Sequence, residues 1–187
     1  MVAVLFARRD SIYKSMPDLD VYDADRDARS FNGCSAVVAH PPCRAWGALR
    51  QFSKPREGEK ELAVWAIGMV RRNGGVLEHP RSSSLWPALE LPTTGRDAFG
   101  GFSLDVNQSW WGHPAPKRSW LYIVGIDPVD LPAFPISLNL PPKVIAPRTG
   151  SKATGRHATK REREATPPAL AAWLISCCMK IELARRT

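Results

Sequence analysis

The chain is short of several things. It has four cysteines in 187 residues, and 18 Asp and Glu stand against 26 Lys and Arg. No stretch approaches the roughly 20 apolar residues of a membrane span. The first apolar run, Val2 to Phe6, is too short for a secretory leader and is followed at once by Arg8, Arg9 and Asp10. Cys177 and Cys178 are adjacent in an apolar segment, so they do not read as a disulfide framework. A reducing, cytosolic (cytoplasmic) compartment is the expectation. No internal repeat is present. The residues that follow the first apolar run, Ala7-Arg8-Arg9-Asp10-Ser11, contain no glycine.

What is present is a chain of ordinary globular composition, 44% hydrophobic and 24% charged, long enough for one domain with a substantial core. Seventeen prolines predict ordered loops between a few regular elements. The net charge of +8 suits a polyanionic partner, which is an argument about association and not about fold.

Residues 35–46, Ser-Ala-Val-Val-Ala-His-Pro-Pro-Cys-Arg-Ala-Trp, organise the rest. The apolar run Ala36 to Ala39 reads as a buried strand. Pro41 and Pro42 stop it, because neither can donate to a ladder and each fixes its own φ. Cys43 follows, at the mouth of the strand on a stiff loop, placed to act as a nucleophile. The alternative reading is a small buried hydrophobe.

Along the chain, residues 2–7 and 20–23 read as short strands, with one or two helical turns at 10–16 between them. Residues 59–72 read as a helix with Leu62, Trp65, Met69 and Val70 on one face. Its first turn is acidic and its last carries Arg71 and Arg72, as the macrodipole favours. Asn73-Gly74-Gly75 ends it, and Val76-Leu77 starts a strand that stops at Glu78-His79-Pro80. Strand, helix, strand over 35–80 predicts a right-handed βαβ unit in a parallel sheet, with Cys43 and Glu78 both at strand ends. A helical turn is expected at 82–86, strands at 104–111 and 120–124, and a closing helix over 168–183 with Leu170, Trp173, Leu174 and Cys177 on one face.

Three strand ends thus carry Pro-Pro-Cys (41–43), Leu-Glu-His-Pro (77–80) and Trp-Gly-His-Pro-Ala-Pro-Lys-Arg-Ser-Trp-Leu-Tyr-Ile-Val-Gly (111–125). In order and spacing this resembles the catalytic half of the cytosine-C5 DNA methyltransferase family. Pro42-Cys43 resembles its Pro-Cys loop, and Glu78-His79 its Glu-Asn dipeptide. Lys117-Arg118 through Gly125 resembles its arginine-bearing strand. Asp23-Ala24-Asp25-Arg26-Asp27-Ala28 resembles its ribose-holding acidic strand end, and 165–171 its closing Pro-Pro helix start. The resemblance implies an α/β, Rossmann-like methyltransferase-type, mostly parallel sheet of reduced size, spanning 1–187 as one catalytic-type domain. A Pro-rich and basic loop region, 126–164, stands in place of a target-recognition domain. It also implies an S-adenosylmethionine site involving Phe6, Asp23 and Asp25, and DNA as partner.

The implied chemistry can be put in general terms. C5 of a pyrimidine is a poor nucleophile until a thiolate adds at C6, so Cys43 would form a covalent adduct. Charge then spreads toward N3 and O2. Glu78, held partly neutral in an apolar pocket, would bond N3, and Arg118 would face the O2 side. His40, Arg44, His79, His113, Lys117 and Trp120 would line the substrate. A base in duplex would be flipped out first, with Trp46, Trp110, Trp111 and Trp120 either stacking on it or packing the core. Lys152, Arg156, Lys160 and Arg161, in the basic run from Arg148 to Arg163, would grip phosphates. Otherwise they form a solvated loop, partly neutralised by Glu162 and Glu164, that orders on meeting a partner.

The departures open alternatives. The glycine-rich cofactor turn is absent, His79 replaces the asparagine, Pro116 a glutamine and Trp120 a second arginine. One alternative is C5 chemistry on a nucleotide or modified base with a donor other than S-adenosylmethionine. Another is a non-catalytic, methyltransferase-like DNA-binding protein. A further one is a metal held by His40, His79 and His113, each preceding a proline at a strand end.

Overall fold

A computed structural model describes residues 1–135, 140–145 and 156–186. The described elements are β1 (Val2–Leu5), β2 (Leu19–Val21), β3 (Val37–Ala39), α1 (Glu59–Asn73), β4 (Gly75–Pro80), α2 (Leu85–Ala88), β5 (Phe102–Asn107), β6 (Arg118–Val124), β7 (Lys143–Val144), β8 (Arg156–His157), α3 (Lys160–Glu164) and α4 (Pro168–Ala184). Six strands form one sheet in the order β2-β1-β3-β4-β6-β5. The pairs β1–β2, β1–β3 and β3–β4 are parallel, whereas β6 runs antiparallel to both β4 and β5. The architecture is therefore α/β with a mixed, mostly parallel sheet and few helices. The parallel expectation holds for the first four strands and stops at β6, which needs no crossover because it returns from β5 as its antiparallel neighbour.

Alternation of side chains sorts each strand between two cores. Val4, Val38, Val76, Leu121 and Ile123 pack with Leu170, Leu174, Cys177 and Ile181 of α4. Leu5, Val37, Ala39, Leu77 and Tyr122 pack with Ala63, Ala66, Ile67 and Val70 of α1. Each fully buried Leu or Ile contributes about 2 kcal/mol. On α1 Ala63, Ala66, Ile67 and Val70 are buried, while Leu62, Trp65 and Met69 are half-buried at the margins. Of the expected face Val70 is fully inward and Trp65 and Met69 pack at its edge, because close approach to the sheet leaves the centre to Ala63 and Ala66. Gly75 marks the tightest approach. Its φ is +135°, and an added Cβ would lie 2.0 Å from the Val37 carbonyl oxygen, so β3 and β4 pair here only because the residue is glycine.

The strand expected at 104–111 ends at Asn107, whose side chain accepts from the Ser109 amide and starts a 3-10 turn through Trp111. The basic segment is ordered where described. β7 and β8 pair in parallel, and α3 opens with a capping box between Thr159 and Glu162. By length and composition Lys160–Ala184 is apolar enough to cross a membrane, contrary to expectation. Half of it is buried inside the molecule, with α4 lying against the sheet.

Candidate active site

The chain leaves β1 to form β2 on one side, then returns to form β3 on the other. The carboxyl ends of β1 and β3 therefore bound the switch point at which open α/β sheets bind ligands. Phe6 ends β1 with φ at +62°, a left-handed conformation that costs a non-glycine residue about 1 kcal/mol or more. The missing glycine of that turn is replaced by backbone strain. After β3, the His40 amide still bonds the Leu5 carbonyl, and the Pro-Pro-Cys loop is then fastened on several sides. The Cys43 carbonyl accepts from the Trp46 and Gly47 amides, and the Trp46 carbonyl accepts from the Ser83 and Ser84 hydroxyls beyond β4. Arg44 pairs with the buried Glu59 at the start of α1.

At this edge Glu78 is buried on the α4 side of the sheet and is the centre of a polar network. Gln108 Nε2 donates to its Oε1 at 2.8 Å, and the Ser119 hydroxyl donates to the same oxygen. His40 Nδ1 lies 3.2 Å from Oε2, and His40 Nε2 lies 2.9 Å from the hydroxyl of the buried Tyr13. Burial alone would raise the Glu78 pKa. The bonds from His40 and Ser119, with the positive charges of Lys117 and His40, hold it below the ordinary carboxylate range. The expected neutral acid is thus replaced by a carboxylate, because its pocket is lined with donors and is not apolar.

Cys43 is an exposed residue of this loop. Desolvation by its neighbours and the Glu78 charge push the thiol pKa up, against a lowering contribution from Lys117. Lys117 is therefore the cation of the site, acting on both Cys43 and Glu78. Arg118 is not: its exposed guanidinium bonds Asp105 at 2.5 Å, and strand alternation turns it away from the side that Ser119 shares with Glu78.

Other expected substrate residues are employed elsewhere. Arg44 is held by Glu59. His79 is fully buried on the α1 side, edge-on to Trp86 at 6.4 Å, with no hydrogen-bond partner for either ring nitrogen among the described residues. Burial lowers its pKa to about 4 despite the Glu78 charge and the Pro42 carbonyl nearby. Trp120 packs on Trp86 on that same side, with ring centroids 5.2 Å apart. His113 is buried and bonded to the backbone of Ala115 and Glu162. His40, His79 and His113 do not converge, and among the described residues no group of three or more His, Cys, Asp and Glu side chains could hold a metal ion. Trp46 and Trp111 are core residues.

The residues expected to hold S-adenosylmethionine have partners within the chain. A ribose-binding acid must accept hydroxyl protons. The buried Asp23 carboxylate already accepts from the Asp25 and Arg26 amides and pairs with Lys14, which lowers its pKa to about 2. Asp25 pairs with Arg9 at 2.6 Å. The Phe6 ring lies edge-on to Trp65, 5.9 Å between centroids.

Of the expected phosphate contacts, Lys152 lies outside the described residues and only the backbone of Arg156 is described. Lys160 is exposed, and Arg161 pairs with Asp10. A second basic stretch went unread in the sequence. Arg50, Arg56 and Lys60 line a groove immediately beyond the Cys43 loop, with Lys54 beside them. None of the four forms an ion pair among the described residues, whereas Glu61 of the same groove and Glu57 offset part of the charge.

Tyr13, Gln108 and Ser119 were also missed. The signal for two of them is strand parity. Ser119 shares its side with Leu121 and Ile123, and Gln108 continues that of Phe102, Leu104 and Val106, so each is polar at an inward position.

No protein-family model matches the chain, and no curated protein matches it.

Proposed function

We propose that the protein modifies C5 of a pyrimidine base in DNA through a covalent adduct between Cys43 and C6. One observation carries the reading: the thiol of an exposed residue stands at the switch point of the sheet, within the electrostatic reach of a buried carboxylate and of Lys117. The sheet order, four parallel strands extended by an antiparallel hairpin, is compatible with a reduced Rossmann-like methyltransferase fold. In the reaction Cys43 gives its S–H proton to solvent water and a sulfur–C6 bond forms. The C5–C6 π pair moves toward N3, which takes a proton. C5 then bonds an electrophile (in exchange, a deuteron from solvent) and loses its hydrogen as a proton to solvent, and the thiolate leaves as the ring double bond returns and N3 gives its proton back. Lys117 stabilises the thiolate, and the Glu78 network handles the proton at N3. Groove cations beside the loop supply a phosphate grip.

A second reading, a donor other than S-adenosylmethionine, is favoured by the internal pairing of Asp23 with Lys14 and of Asp25 with Arg9. The raised thiol pKa favours the third, a DNA-binding protein without catalysis.

One donor-free measurement separates these readings. In heavy water, an oligonucleotide containing deoxycytidine should exchange its C5 hydrogen for deuterium, and Cys43→Ala should abolish exchange. Absence of exchange by the wild type overturns the adduct. Arg50→Ala combined with Arg56→Ala should weaken oligonucleotide binding about tenfold and reduce its salt slope by about 2.

A further inference from the structure

We infer that His40 and Tyr13 keep a transferable proton beside Glu78 and so act as positioning residues for that exchange chemistry; the inference rests on the reading above. Geometry carries it. The Tyr13 hydroxyl is 2.9 Å from His40 Nε2, His40 Nδ1 is 3.2 Å from Glu78 Oε2, and the Tyr13 and His40 rings lie 5.6 Å apart between centroids.

An ionised Glu78, bonded by Gln108 and Ser119 on one oxygen and His40 on the other, has no proton of its own for a ring nitrogen. The adjacent movable proton is on His40 Nδ1. When sulfur adds to C6 and the displaced electron pair reaches N3, N3 gains a proton from the carboxyl group. The Nδ1–H bond of an imidazolium breaks as Glu78 Oε2 is charged with that proton. His40 is left neutral, protonated on Nε2. Expulsion of the thiolate returns the proton by the same route, so the N3 proton balances over the cycle, while the deuteron that enters C5 and the proton that leaves it are exchanged with solvent.

Tyrosine suits the far end of this chain because a hydroxyl both donates and accepts. It accepts from Nε2–H in the imidazolium, and it turns to donate when the ring is neutral with its proton on Nδ1. Tyr13 is not the source. Burial, with the charge of Glu78, holds its own proton firmly. The charged and titratable groups of this centre are Tyr13 from the turn after β1, Glu78 from β4, Lys117 ahead of β6 and Cys43 on His40's own loop.

The test uses nitrogen-15 spectra of the His40 ring in the full chain, together with the C5 exchange rate. The wild type should show a proton on His40 Nδ1 directed at Glu78, and Glu78→Gln should shift that nitrogen resonance. Tyr13→Phe, which keeps the buried ring, should shift the Nε2 resonance. It should also slow exchange about tenfold with oligonucleotide binding unchanged. If Tyr13→Phe does not fold, His40→Gln must show the same loss of exchange. An unaltered His40 Nδ1 resonance in Glu78→Gln, or wild-type exchange in Tyr13→Phe, overturns the inference. Failure of the wild type to exchange at all overturns the adduct reading, and the nitrogen spectra still decide whether the proton is kept.

Discussion

Glu78 and His79 are consecutive in β4, yet they occupy opposite environments. Glu78 faces the α4 side, where His40, Gln108 and Ser119 satisfy it and keep it ionised. His79 faces the α1 side among Trp86 and other core residues, with no hydrogen-bond partner among the described residues and neutral. The difference teaches that the Glu78 hydrogen-bond network occupies one surface of the sheet, whereas His79 on the other surface is held by packing. Parity, and not proximity in sequence, decides which residues belong to the site.

The largest way to break the comparison is Cys43→Ala, which should lower C5 exchange at least ~10³-fold while oligonucleotide affinity stays within about twofold. Glu78→Gln should lower exchange about 10²-fold and cost about 2 kcal/mol in urea unfolding, because donors that served a charge lose it. The sign with pH follows from its depressed folded-state pKa. The carboxylate stabilises the fold above the unfolded value, about 4.3, and that contribution disappears as acid titrates it in the folded protein. The variant should lack this acid-induced loss.

A sharper contrast sets Lys117→Ala against Arg118→Ala. The first should slow exchange about tenfold, and the second should leave it within about twofold, since Arg118 bonds Asp105. The smallest effect on exchange is expected of His79→Phe, within about threefold, with its consequence appearing in stability instead. The folded-state pKa of about 4 is below the unfolded value, so the unfolded chain binds the extra proton between about pH 6.5 and 4. Wild-type stability should then fall by about 1.4 kcal/mol per pH unit on acidification through that window, and His79→Phe should remove this slope.

Much of the framework was legible. The run from Ala36 to Ala39, the stop at Pro41-Pro42 and the Asn73-Gly74-Gly75 terminus located β3, α1 and β4 within a residue or two. The inward face of α4 was also read correctly, because Leu170, Trp173, Leu174 and Cys177 are both apolar and buried. What failed has physical causes. On α1 the expected face includes the buried Val70 but omits Ala63 and Ala66, whose small size lets the helix approach the sheet. The role of Arg118 follows from the family resemblance, yet the pleat turns its guanidinium to Asp105. The three histidines looked equivalent before proline, but His40 and His79 sit at positions of opposite parity. Tyr13 could not be found, since its partner lies 27 positions away and no local pattern announces it.

Cys43 combines accessibility with a firmly held hydrogen. Peroxide and alkylating reagents consume thiolates, so such a sulfur weathers an oxidising episode that would burn an activated one to sulfinic acid. Reactivity then arises only once something occupies the adjoining space and alters the local field, which makes the idle protein chemically quiet.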